Sequence, residues 1–88
     1  MPYRIEFRPA AQRELAALPQ RIREHVGAAN AGLAANPRPF GVKKLRGAQN
    51  VYRIKAGPGK QYRVLYQIRD EVLLVLVVSV GHRKDVYR

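Results

Sequence analysis

Nine consecutive residues, Val72 to Val80, are apolar apart from Ser79. The run is far short of the roughly 20 residues that a membrane span requires. Polar turns bound it on both sides, Arg69-Asp70-Glu71 before and Gly81-His82-Arg83 after. A stretch like this reads as a strand buried on both faces, and therefore central in its sheet. The rest of the chain must supply neighbouring strands and a cover.

The neighbours are visible as alternation. From Val51 to Ala56, Tyr52, Ile54 and Ala56 fall on one face and Val51, Arg53 and Lys55 on the other. Gly57-Pro58-Gly59-Lys60 is a turn. Gln61 to Ile68 alternates again, with Tyr62, Val64, Tyr66 and Ile68 opposite Arg63, Leu65 and Gln67. A further half-buried strand opens the chain, where Tyr3, Ile5 and Phe7 alternate with Arg4, Glu6 and Arg8. The cover comes between. Pro9 suits a first helical turn, and Ala11, Leu15 and Leu18 follow at helical spacing. Pro19 breaks that helix. Ile22, Val26, Ala29 and Leu33 then form the stripe of a second helix, which Asn36-Pro37 stops. The predicted order is β-α-α-β-β-β: an α+β fold in which a helical hairpin packs on one face of a mainly antiparallel, four-stranded sheet. With no linker or repeat, residues 1–88 read as one domain, and a chain of this length supports one core.

Composition narrows the chemistry. There is no cysteine, so disulfides, Cys-ligated zinc and thiol catalysis are excluded. Two histidines and six scattered carboxylates offer no plausible metal cage, and no cofactor is expected. The first residues lack the apolar stretch of a signal peptide, which predicts a soluble, cytoplasmic protein. Lys and Arg number 17 against 6 Asp and Glu, a formal charge of +11. With 47% apolar residues this is no disordered basic tail. Eleven of the basic groups lie in residues 42–88 against three acids, so a polyanionic partner is expected to meet the second half.

Three clusters could carry that contact. Arg53, Lys55 and Arg63 are expected to share the open face of the second and third strands with no acid between them. Any sheet covered on one side has a polar face, but three like charges one strand apart repel unless a phosphate sits among them. The second cluster is the tail, Gly81-His82-Arg83-Lys84-Asp85-Val86-Tyr87-Arg88, which follows a rigid strand and ends on an aromatic ring able to stack on a base. The third, Lys43-Lys44-Leu45-Arg46-Gly47, is the kind of basic stretch that grips a nucleic-acid backbone. His82 reads as an ordinary strand-end residue beside Arg83, and His25 as structural or solvated.

In this order, Lys44-Leu45-Arg46-Gly47, Tyr52-Arg53-Ile54-Lys55, Tyr62-Arg63-Val64-Leu65-Tyr66 and Val80-Gly81-His82-Arg83, with Tyr87 closing, resemble the RelE branch of the RelE/ParE toxin superfamily over essentially the whole chain. The resemblance implies the toxin of a type II toxin–antitoxin pair, held by an acidic RelB-like antitoxin in a hetero-oligomer. It implies an endoribonuclease that enters the ribosomal A site and cuts mRNA there. Carried over by position, Arg53, Lys55, Arg63, Arg83 and Tyr87 match catalytic and phosphate-contacting positions, and Arg46 matches an RNA-contacting one. Lys43, Lys44 and Arg53 join Arg46 as expected RNA contacts. The chain departs from some relatives in its shorter link from Arg83 to Tyr87 and in stopping at Arg88.

The inventory suits metal-independent cleavage. The 2′-OH attacks the adjacent phosphate, giving a 2′,3′-cyclic phosphate and a free 5′-OH, and guanidinium groups stabilise the gathered negative charge. Lys55, crowded by cations that disfavour its charged form, and Tyr87 are rival general bases. Arg83, or a water it orients, would supply the acid. Arg53 and Arg63 would clamp the phosphate. A ParE-like toxin of similar fold that inhibits DNA gyrase by binding is the alternative reading.

Overall fold

The computed structural model describes residues 2–47 and 49–86. The sequence expectations hold for the class of fold and for the order of its elements, with one strand added. Strand β1 (Arg4–Phe7) leads into helices α1 (Pro9–Ala16) and α2 (Gln20–Gly32), then strands β2 (Lys43–Lys44), β3 (Val51–Ala56), β4 (Tyr62–Arg69) and β5 (Leu74–His82). The sheet has five strands in the order β1-β5-β4-β3-β2, rather than four. The extra strand, β2, is two residues long, too short for alternation to register. All neighbours are antiparallel except β1 and β5, where Arg4 to Phe7 run beside Leu74 to Val77.

Prolines place both helices. Pro9 opens α1 after extended Arg8, and Pro19, itself extended, precedes α2. An eight-residue helix has little stability of its own in water, so α1 is held by what it buries. It lies on β5 and inserts Ala11, while α2 reaches β3 and β4 and inserts Val26, with Leu33 buried just past its end. Beneath them lie Ile54, Ala56, Val64, Tyr66, Ile68, Val75, Val77 and Val80. Each large apolar side chain removed from water here contributes about 1.5–3 kcal/mol.

Strand β5 departs from expectation. Val72 is 52% exposed and belongs to a short turn, Asp70–Val72, closed by Leu73 in the left-handed region (φ 51°). Within β5, Val75, Val77 and Val80 are buried, whereas Leu74, Leu76 and Val78 are half-buried. Helices cover one face only. The strand is therefore covered on one side, and β4, not β5, occupies the middle of the sheet.

The segment between α2 and β2 is fastened to the sheet. Fully buried Tyr66 donates its hydroxyl to the Pro37 carbonyl at 2.7 Å. Arg38 grips the Asp70 carboxylate with two bonds of 3.2 and 2.9 Å and lies 5.4 Å over the Tyr52 ring. Tyr3 donates to the same carboxylate at 2.6 Å. The Arg38 bond, followed by that of Tyr3, holds the Asp70 carboxyl down at about 2.

Candidate active site

Register brings the cations together. Lys55 stands directly opposite Arg63, Arg53 opposite Lys43, and Arg63 opposite Gly81. Directly opposed residues share a face, as do residues two apart on a strand. Lys43, Arg53, Lys55, Arg63 and Gly81 therefore lie on the face away from the helices, as expected for Arg53, Lys55 and Arg63. Arg53 is half-buried and Lys55 exposed.

Arg63 corrects the picture of a freely projecting cation. It is 9% exposed, and its Nη1 donates to the carbonyls of Lys60 (2.8 Å) and Tyr62 (3.2 Å). Alternation gives the face of a side chain but not its depth. Here the β3–β4 turn, with Gly57, Gly59 and Lys60 at φ 78°, 64° and 56°, offers backbone carbonyls to the guanidinium. Both contacts use one nitrogen, Nη1. A guanidinium held this way meets a phosphate without losing rotamer freedom at that moment.

The chain beyond β5 folds onto the same face. A Cβ built on Gly81 would lie 3.0 Å from Val86 Cγ2, so the turn Arg83–Val86 sits over the sheet beside Arg63. The Arg83 N–H donates to the Gln61 carbonyl at 2.8 Å, and the amides of Asp85 and Val86 donate to the His82 carbonyl. Exposed Arg83 is thereby brought to the cationic face. Tyr87, expected to share this site, lies outside the described residues.

The remaining candidates separate. His82 pairs with Tyr62 on the opposite side of the sheet, packs edge-on against its ring at 5.4 Å, and accepts the Lys84 amide at Nδ1. It does not join the cations. His25 is exposed. Lys43 faces the site, but Lys44 pairs with Tyr52 and holds its Nζ 5.9 Å over that ring, away from it. Arg46 is exposed in the turn after β2. Among the described residues no group of three from His, Asp and Glu comes together to hold a metal ion.

Two features were not read from the sequence. Glu14 on α1 accepts the Val80 N–H at 3.0 Å and the Ser79 hydroxyl at 3.2 Å, capping β5 where β1 has ended. Phe40, passed over as part of a turn, is 107% exposed. Neither carries a local signal, since each depends on what distant strands leave uncovered.

Comparison with known proteins agrees with this arrangement. Residues 5–87 match the family described as the ParE toxin of the type II toxin–antitoxin system parDE. Over 89 residues the chain is 36% identical to Toxin RelG of Mycobacterium tuberculosis, covering 100% of this chain and 99% of that protein. It is 34% identical over 84 residues to the mRNA interferase toxin RelE of Escherichia coli, covering 96% and 86%. The fold superposes on the toxin of the intact RelBE toxin–antitoxin complex of Escherichia coli with a TM-score of 0.79, at 34% identity, over 91% of this chain and 95% of that one. By sequence and by fold, the chain belongs to the RelE/ParE family of toxins of type II toxin–antitoxin systems.

Proposed function

We propose that the chain is an mRNA interferase: a cytoplasmic toxin, one domain over residues 1–88, that cleaves mRNA in the ribosomal A site and is restrained by an acidic RelB-like antitoxin. The observation that carries the reading is the cationic cluster on the face away from the helices, with Lys43, Arg53, Lys55 and Arg63 together and Arg83 folded beside them. The name mRNA interferase borne by the Escherichia coli relative RelE, and the RelBE toxin–antitoxin complex of the same organism, support it.

Each step is assigned to residues of this chain. The scissile phosphate sits between Arg53 and Arg63, which stabilise the charge gathered on its non-bridging oxygens. Lys55 or Tyr87 takes the 2′-OH proton as general base while the 2′-oxygen bonds to phosphorus. The bond from phosphorus to the 5′-oxygen breaks, and that oxygen receives a proton from Arg83 or a water it orients. The products are a 2′,3′-cyclic phosphate and a 5′-OH, with no metal in the path. Lys43 and Arg46 hold the RNA backbone away from the cut.

Pulse expression followed by mapping of transcript ends tests the reading. Cuts inside translated codons are expected. Induced DNA damage with intact messages would assign the chain instead to gyrase inhibition.

A further inference from the structure

Beside the cationic face runs a groove of about 500 Å³, in the size range of sites that hold small ligands. It lies between the end of α2, the fastened segment 37–42 and the outer edge of β3 past the end of β2. Buried Leu33 and Ile54 form its floor, and Arg53, Lys55, Lys60 and Phe40 stand around it.

Phe40 is the telling residue. Its ring is fully exposed, yet the backbone around it is fixed. Pro37 is bonded by Tyr66, Arg38 by Asp70, and the Val42 N–H donates to the Pro39 carbonyl at 3.0 Å. A frayed segment would leave an aromatic ring in water by default, whereas this one holds it there at the lip of an apolar groove. Every charged group lining that groove is positive. Two of them, Arg53 and Lys55, are the groups assigned to the scissile phosphate. Arg53 and Lys55 border the groove at the free edge of β3 beyond β2, so a nucleotide joined to a phosphate held on their face enters the groove by passing round that edge, and an aromatic ring beside cations is the usual platform for an unpaired base.

We infer that this groove is a nucleobase subsite: it takes the base of the nucleotide flanking the scissile phosphate and stacks it on Phe40. The inference rests on the nuclease reading. An acidic peptide would satisfy the same charges, but the continuity with Arg53 and Lys55 favours RNA.

The test is single-turnover cleavage on programmed ribosomes, with toxin concentration varied. Because Phe40 is exposed, Phe40→Ala should fold as wild type does. It should raise the half-saturating concentration about 10-fold, the scale of one lost stack, with the saturating rate within about 2-fold. Phe40→Trp should restore binding. A message abasic at the flanking position should weaken the wild type by a similar factor and make Phe40→Ala silent. If Phe40→Ala matches the wild type, or its defect persists undiminished on the abasic message, the subsite is wrong. A variant that loses antitoxin affinity but cleaves normally would make the groove a peptide site and overturn the inference. Failure of the nuclease reading looks different, since the wild type would then cut no message on ribosomes at all.

Discussion

Tyr66→Phe removes a single oxygen and should destabilise the protein out of proportion to its size. The hydroxyl is fully buried and donates to the Pro37 carbonyl at 2.7 Å, and burial raises the phenol's pKa so that it remains a donor. The ring, and its stacking on Tyr52 at 6.1 Å, stay in place. What is lost is one hydrogen bond of about 1 kcal/mol net. Pro37 is itself buried, so its carbonyl is then left without a donor, bringing the expected total to about 1–3 kcal/mol. For a domain of this size each kcal/mol moves Tm by about 4–8 °C, so a fall of roughly 5–20 °C is expected. Urea unfolding should show a lower midpoint with an unchanged slope. Hydrogen exchange at the Val42 amide, bonded to Pro39, should quicken, because the segment then loses its buried anchor and relies on Arg38, with its Asp70 and Tyr52 contacts. Combining Tyr66→Phe with Asp70→Asn should therefore cost more than the two changes separately. A Tm drop below about 2 °C for Tyr66→Phe would show that the hydroxyl does not anchor this segment.

Lys55→Ala should leave Tm nearly unchanged, since Lys55 is exposed, yet slow single-turnover cleavage by about 100-fold or more if Lys55 is the base. Arg63→Ala should lose both activity and stability, and an Arg63→Ala protein as stable as wild type would contradict the anchoring by Lys60 and Tyr62. The folded pKa of Asp70, about 2, lies below the unfolded value of about 3.9, so its clamp contributes fully above about pH 4 and fades as pH falls through about 2. Asp70→Asn should flatten that acid limb in a Tm-versus-pH series. Asn30 is buried in α2 with neither amide atom hydrogen-bonded among the described residues, so Asn30→Leu should raise the urea midpoint, by about 1–3 kcal/mol in stability. An unchanged or lower midpoint would mean that the amide is satisfied.

What the sequence made legible was periodic. Alternation along Val51–Ala56 and Gln61–Ile68 gave the β3–β4 hairpin and the shared face of Arg53, Lys55 and Arg63, because period-2 geometry is local. Prolines 9 and 19 marked both helix starts. What stayed hidden depends on contacts between distant segments. β2 has two residues and exists only because β3 offers an edge. Arg38 and Asp70 meet across 32 positions. The depth of Arg63 follows from carbonyls in a left-handed turn, which no hydropathy pattern records. For β5, a continuous apolar run implied two covered faces, whereas the second face carries half-buried leucines with no helix over them.

The parallel pairing of β1 with β5 has a consequence for the order of events during synthesis. Arg4 lies beside Leu74, so the first strand made waits for the last strand of the sheet. At about 5–20 residues per second the delay is several seconds. Until β5 emerges, Ile5, Phe7 and the apolar side of α1 have nothing to pack on, and the Arg83 turn that completes the cationic face has no strand to follow. A chain stopped after Asp70 should accordingly give the far-UV spectrum of an unfolded peptide, and a native-like spectrum would refute this order. The newborn protein thus passes through an interval in which its apolar surfaces are open and its cutting face is not yet built, and a restraining partner already present in the cell can use that interval to capture it.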